Sequence, residues 1–359
     1  MRKLLILSIF FTACTIWASN TAVIDITDLA GRHISVPKNL QRIICIAPGC
    51  LRLIVYLKAT DRLVGVERME KQQPHGRPYW LAHPELNELP IIGPGGMNSI
   101  NQYPDFESIL KVKPDIIFIT YMDADKADKI AKLTDIPVVV LSYGPFGSFD
   151  STLYTSIRLV GKILKKEKRA EEVVAFIETH KKELLKRSSS YAKKNRPSVY
   201  VGGLGFKGVS GIESSSSSFV PFTWTNADNA VKTTPLEEHV AVDRETLLKL
   251  NPDFIFITGG APVLLTQDLY RKQKYFNTLK AFKNKNVYSL YPFNWYMTNI
   301  GTAIIDAYTV GKKLYPESFK NIDLKNKSNE VYSFLTGKPV YEMMKKYYGK
   351  LGEVINAER

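Results

Sequence analysis

The chain has 359 residues, 45% of them hydrophobic and 23% charged, with a formal net charge of +14. That length and apolar content provide for two lobes with cores of their own, and the three cysteines exclude a fold stapled by disulfides. So basic a chain would suit nucleic acid in the cytosol, but the first residues predict export, which leaves a basic solvated surface or a cleft biased toward anions.

Met1-Arg2-Lys3 is a basic start, Leu4 to Trp17 is apolar, and Ala18-Ser19-Asn20 supplies small residues before a polar beginning. Together they predict a secretory signal over 1–19, whose loss with Arg2 and Lys3 brings the charge near +12. The apolar segment is too short to span a bilayer comfortably. Phe11-Thr12-Ala13-Cys14 is an imperfect lipobox, so lipid tethering at Cys14 stands as the alternative to cleavage near Ala18 and a soluble periplasmic protein. Cys45 and Cys50 then remain, in a predicted strand and at the next helix start, where a disulfide between them is awkward.

Ile24 to Asp28 and Gly31 to Pro37 predict a hairpin. Arg42 to Ala47 predicts a buried strand, followed by the Pro48-Gly49-Cys50 turn and a helix over Leu51 to Lys58. A second strand, Leu63 to Val66, leads into a long polar stretch, Glu67 to Asn101, of the kind that is functional or carries a short helix. A strand at Ile116 to Thr120, a helix around Lys126 to Leu133 and a strand at Val138 to Leu141 complete a first α/β lobe over 20–150. Residues 151–196 predict a helical linker, with apolar stripes at Leu153, Ile157, Val160 and Leu164 and, after a charged break at Lys165 to Lys168, at Ala170, Val173, Val174 and Ile177. The second lobe, 197–359, repeats the plan with strands at Ser198 to Val201, Phe254 to Thr258 and Val287 to Leu290. Helices at Thr298 to Leu314 and Val340 to Tyr348 end it.

The repetition is explicit in two segments, FESILKVKPDIIFIT at 106–120 and RETLLKLNPDFIFIT at 244–258, which agree at nine of fifteen positions. Each reads as an amphipathic helix stopped at Pro-Asp and followed by a buried strand. Two similar lobes joined by one long helix, with a ligand cleft between them, form the predicted α/β architecture.

In order and spacing, Asp28-Leu29-Ala30-Gly31-Arg32, Arg42-Ile43-Ile44, the Leu-Lys-x-x-Pro-Asp block of each lobe and Thr258-Gly259-Gly260 resemble the binding proteins of ABC importers for iron complexes and cobalamin. The likeness covers essentially the whole chain after the signal. It is to the helical-backbone class that includes vitamin B12, ferrichrome and enterobactin binding proteins. It implies two lobes joined by one helix, a cleft ligand, no resident cofactor, no chemistry, and a membrane permease with its ATPase as partners of a monomer. It also implies that Glu107 and Glu245, at equivalent places in the repeat, dock to permease arginines. The bland alternative is that Asp105 and Asp243 are N-caps and the glutamates merely favour the helix dipole.

Ligand contacts are expected from loops at strand ends facing the cleft. In the first lobe these present Gly49, Cys50, Arg52, Gly95, Gly96, Tyr121 and Tyr143; in the second, Phe206, Trp224, Trp295 and Tyr296. The expected cargo is an iron complex (a siderophore chelate or haem) or a corrinoid, for which the aromatics offer flat walls; the alternative is a small oxyanion such as molybdate or tungstate, held by the amides of Gly49 and Cys50 with Arg52. Gly203 to Gly208 matches G-x-G-x-x-G, but no helix follows to receive a pyrophosphate. Ser190 to Lys193 matches S-x-x-K without the companion motifs of its enzymes. The five histidines lack metal-ligand spacing, and only His75 and His83 share a loop. An exported enzyme or a surface interaction protein is the remaining alternative, and no nucleophile paired with a base supports it.

Overall fold

A computed structural model describes residues 22–72, 74–145, 147–191, 196–205, 211–232, 239–259, 267–269 and 271–355. The signal segment, Cys14, Phe206 and Gly260 lie outside the described residues.

The predicted hairpin forms as β1 (Val23–Thr27) and β2 (His33–Pro37). Its turn is fixed by Asp28, whose carboxylate accepts from the amides of Ala30, Arg32 and Val140 at 3.0 Å each and from Nη2 of Arg32 at 2.6 Å. Both side chains are buried, so the pair is held by complementary hydrogen bonds rather than by surface attraction. Asp28→Ala leaves the amides of Ala30, Arg32 and Val140 without their acceptor and the Arg32 guanidinium with only Asp128 and Val138 O, and should lower the unfolding free energy by about 3 kcal/mol, read by urea denaturation. A loss under about 0.5 kcal/mol would mean that the hairpin is not anchored this way.

The first sheet contains β3 (Ile43–Ile46), β4 (Leu63–Gly65), β5 (Ile116–Thr120) and β6 (Val138–Leu141), all parallel, in the order β4-β3-β5-β6. In the second lobe β7 (Ser198–Gly202) is followed by β8 (Ser214–Ser215), β9 (Asp228–Asn229) and β10 (Val240–Ala241), then β11 (Phe254–Thr258) and β12 (Val287–Leu290). β8 and β10 form a small antiparallel pair, and the other four make a parallel sheet in the order β12-β11-β7-β9. Read from β9 and from β4, the two sheets have one topology, and the repeat strands β5 and β11 take the same slot.

The repeat also performs the same local work twice. After each helix-stopping proline, the aspartate ties down the start of the lobe's first strand: Asp115 accepts from the Arg42 amide at 2.8 Å, and Asp253 from the Ser198 amide at 2.8 Å. The threonine ending each repeat donates to the loop after that strand, Thr120 to Pro48 O at 2.9 Å and Thr258 to Gly203 O at 2.6 Å. Both anchors set the backbone that leaves the sheet toward the cleft.

Helices Ser151–Leu164 and Glu167–Ser188 fill the linker, separated at Lys165, which adopts φ 57°. The second has 22 residues and runs about 33 Å. It packs on Ser151–Leu164 and on the almost wholly buried helix Ile300–Leu314. One apolar core is continuous from Ile43 and Phe118 through Leu153 and Val173 to Phe256 and Ile304. A further helix, Leu324–Thr336, went unread in the sequence; Asp323 caps it and Gly337 closes it at φ 87°. The Glu67 to Asn101 stretch carries helices Arg68–Lys71 and Pro78–Ala82 with several single turns between and after them.

Candidate functional site

Loops at the carboxyl ends of the parallel strands meet between the lobes. Several adopt the left-handed backbone that residues with a Cβ rarely take: Ala47 (φ 72°) after β3, Tyr121 (φ 55°) after β5, and Tyr296 and Met297 (φ 54° and 71°) after β12. Such conformations persist where the surroundings over-determine them, which is common at ligand sites. Gly49 is required twice over, since its φ is +86° and a Cβ there would stand 2.9 Å from the Tyr143 ring.

Arg52 takes a different role from the one expected. Its guanidinium is fully buried and reaches across the cleft to the loop after β12, donating to Thr298 O at 2.6 Å, Tyr296 O at 3.1 Å and Met297 O at 3.2 Å. It also lies 3.3 Å from the Tyr143 hydroxyl and 4.9 Å from the centre of the Tyr79 ring. The expected anion ligand is therefore an interlobe clamp, because the fork geometry of a guanidinium suits converging carbonyls. The Cys50 amide is likewise engaged, donating to Ala47 O at 3.3 Å, and Cys45 and Cys50 are free, buried thiols.

The charged groups of the cleft that the sequence did not single out lie in the 67–101 stretch. Glu67, 4% exposed, accepts at Oε2 from the Ala47 amide at 3.1 Å and from the Tyr296 hydroxyl at 2.5 Å. The Gly96 amide in turn donates to Tyr296 Oη at 3.1 Å, and a Cβ on Gly95 would meet both Tyr296 Oη and Glu67 Cβ at 2.8 Å. Behind Glu67, Glu70 accepts from the Tyr79 hydroxyl at 2.7 Å and stands 3.6 Å from Arg77, which also donates to Met69 O, Glu70 O and Gln72 O. Burial pushes the Glu67 carboxyl up to about 7, against the Tyr296 and Ala47 hydrogen bonds that pull it down. Burial also raises Glu70, opposed chiefly by Arg77.

Of the predicted site residues, Gly49, Arg52, Gly95, Gly96, Tyr143 and Tyr296 come together in this cluster. Tyr121 joins through a contact of its hydroxyl with Met297 Sδ at 3.4 Å, and the Trp295 indole covers Gly76, where a Cβ would stand 2.7 Å from the ring. Trp224 belongs instead to the apolar core, edge-on to Phe149 at 5.7 Å.

Glu107 and Glu245 are exposed in the first turns of helices Phe106–Lys111 and Arg244–Leu250. Asp105 and Asp243 are indeed their N-caps, accepting from Ser108 N at 3.1 Å and Thr246 N at 2.7 Å. His83 bonds Glu85 and Thr336 O, while His75 stacks on Tyr347, and among the described residues no group of three or more His, Cys, Asp or Glu is arranged to hold a metal. Ser214 Oγ is 2.8 Å from His239 Nε2, but its proton is directed to Leu204 O at 2.6 Å, so the hydroxyl accepts from the imidazole and is not activated by it.

The sequence signature of the family described as Periplasmic binding protein matches residues 43–292. Over 327 residues the chain is 27% identical to the Molybdate-binding protein MolA of Haemophilus influenzae, covering 86% of this chain and 89% of that protein. The solved structure of MolA bound to molybdate aligns with a TM-score of 0.70 at 22% identity, covering 88% of this chain and 98% of that one. A periplasmic solute binding protein from Veillonella parvula aligns with a TM-score of 0.73 at 21% identity, covering 91% and 97%. Both structural likenesses carry the fold.

Proposed function

Since the chain belongs to the periplasmic binding protein family, we propose that it is the solute-capturing component of an ABC importer and that its cargo is a small oxyanion of the molybdate or tungstate type. The protein captures and releases without a chemical step. The leader over 1–19 exports it, with a lipid tether at Cys14 as the other route to the same compartment. Glu107 and Glu245, symmetrically placed on the two lobes, present carboxylates to arginines of a permease, where each pair can be bidentate.

The observation that carries the small-cargo reading is the direct contact of the cleft loops. The Tyr296 hydroxyl at 2.5 Å and the Ala47 amide at 3.1 Å both donate to Glu67 Oε2, so a hydroxyl donor and a backbone donor, one from each lobe, converge on one carboxylate oxygen. A carboxylate in that place samples the donor chemistry that a small oxyanion needs. The similarity to a molybdate-binding protein over 86% of the chain points the same way. The iron complex or corrinoid expected from the family resemblance has less support, because Tyr143 and Tyr296, two of the aromatics expected to wall such a cargo, are buried.

Trp295 lies in the cleft loop, so titration followed by tryptophan fluorescence reads occupancy directly. Molybdate or tungstate is expected to bind with a Kd of about 1 μM or tighter, roughly 8 kcal/mol. Saturable binding of a ferric chelate or cobalamin, with neither oxyanion bound, would replace this cargo and leave the transport role in place.

A further inference from the structure

We propose that Glu67 is the specificity-determining group of the cleft: its carboxylate holds the donors that an oxyanion cargo requires, so capture of the anion frees those donors and takes up one proton. This rests on the small-oxyanion reading above.

An ionised carboxylate and a dianionic oxyanion are both acceptors only, and they compete for the same hydrogens. Here the Ala47 amide and the Tyr296 hydroxyl, one from each lobe, both point at Glu67 Oε2. An anion seated against them would stand beside a buried negative charge, and like charges a few ångströms apart in a low-dielectric site repel strongly. Protonation removes the conflict and reverses the hydrogen-bond role of the group. The Glu67 carboxyl then donates its own O–H to an oxygen of the cargo, while Ala47 N–H and Tyr296 O–H turn to the anion. The balance is one carboxylate, one solvent proton and one dianion giving a neutral carboxyl hydrogen-bonded to the dianion, with no bond of the cargo broken.

Titratable and charged groups surround Glu67 on each neighbouring element, and of these Glu70 and Tyr296 act on its proton directly. Its own segment contributes Glu70, with Arg77 and Tyr79 bound to it; β3 contributes the Cys45 thiol; the helix Cys50–Tyr56 contributes Arg52; the second lobe contributes Tyr296. The two guanidiniums are engaged with backbone carbonyls, and Arg77 with Glu70 as well, so neither forms an ion pair with Glu67. Burial therefore dominates and places its protonation at about 7. Above that value the carboxylate is charged and capture must draw a proton from solvent; below it the proton is already present.

Calorimetric titration of the full exported chain with sodium molybdate, in two buffers of different ionisation enthalpy, reads both affinity and proton uptake. Between about pH 7 and about pH 8.5 the Kd should weaken by about tenfold per unit with uptake approaching one proton per anion, and below about pH 6.5 both should level off. Glu67→Gln keeps a neutral group that can donate, so its affinity should be flat with pH and about 30-fold tighter than the unaltered chain at about pH 8.5. Tyr296→Phe removes a hydrogen bond that lowers the Glu67 pKa, so it should weaken binding and move the pH midpoint upward, a shift that a purely structural tyrosine would not produce. Molybdate binding of constant Kd without proton uptake, or loss of binding by folded Glu67→Gln at every pH, overturns the role of Glu67 and leaves the cargo reading standing. No molybdate binding by either protein at any pH overturns the cargo reading, and this inference with it.

Discussion

Replacing Arg52 by alanine is expected to destabilise the protein by about 3–5 kcal/mol, among the largest effects available to one substitution. The side chain is fully buried and holds four carbonyls of the opposing loop, those of Trp295, Tyr296, Met297 and Thr298. Two of those residues have left-handed backbone, at φ 54° and 71°, which the clamp helps to maintain. Truncation would leave the carbonyls without partners, open a cavity under Tyr79 and Tyr143, and release the strained segment that carries Trp295 and Tyr296. Arg52→Lys keeps the charge but reaches the carbonyls from a single nitrogen, so roughly half the loss should remain. Urea unfolding measures both variants. A loss below about 1 kcal/mol for the alanine variant would mean that the loop is held by its own packing and not by the guanidinium.

The second large effect concerns delivery. Reversing the charge of both Glu107 and Glu245, each to lysine, is expected to abolish uptake while changing cargo affinity by less than about twofold, since each interfacial charge pair is worth about 2–5 kcal/mol when one partner is lost. Both side chains are exposed, and the caps that define their helices are supplied by Asp105 and Asp243, so the fold should tolerate the change. Transport assays with the cognate permease and a parallel binding titration separate the two steps. Undiminished uptake, or a large loss of cargo affinity, would remove the docking role. Glu245 already pairs with Lys249 at 2.7 Å on the surface, a contact of small energy that a permease arginine can replace.

Architecture was legible because it is written locally and written twice. A proline ending a helix, an aspartate after it and a run of Ile and Phe ending at Thr predict helix, turn and buried strand without knowledge of any partner. β5 and β11 then occupy equivalent slots in their sheets. The caps at Asp105 and Asp243 were readable for the same reason. Helix Leu324–Thr336 had readable signals too, a capping Asp323 and a closing Gly337, but its interior Asn and Ser residues obscured the apolar stripe at Val331, Tyr332 and Leu335. The electrostatics of the cleft are another matter. Glu67 is bound by residues 20 and 229 positions away, and Arg52 by residues as far as 246 positions away. Whether a charged side chain faces water or lies buried depends on such partners, so the same stretch read as a polar loop contains the Glu67, Glu70 and Arg77 network. Tyr143 and Tyr296 follow strands and join the cleft cluster, whereas Trp224 follows the short helix Val220–Thr223 and is core, and nothing in an aromatic's own sequence neighbourhood distinguishes one that walls a site from one that fills an interior.

The continuous apolar core from Ile43 to Ile304 has a bearing on how an importer reads its delivery protein. Lobes joined through a shared interior and a 22-residue helix are expected to resist rotation against each other. A cleft that closes by small movements would leave the spacing between Glu107 and Glu245 nearly the same with and without cargo. A permease that grips both lobes through these carboxylates would recognise the carrier by its fixed dimensions and learn of its contents from the narrow rim around Trp295 and Tyr296. Recognition and load sensing would thus be divided between two faces of the same body, and each could change in evolution without disturbing the other.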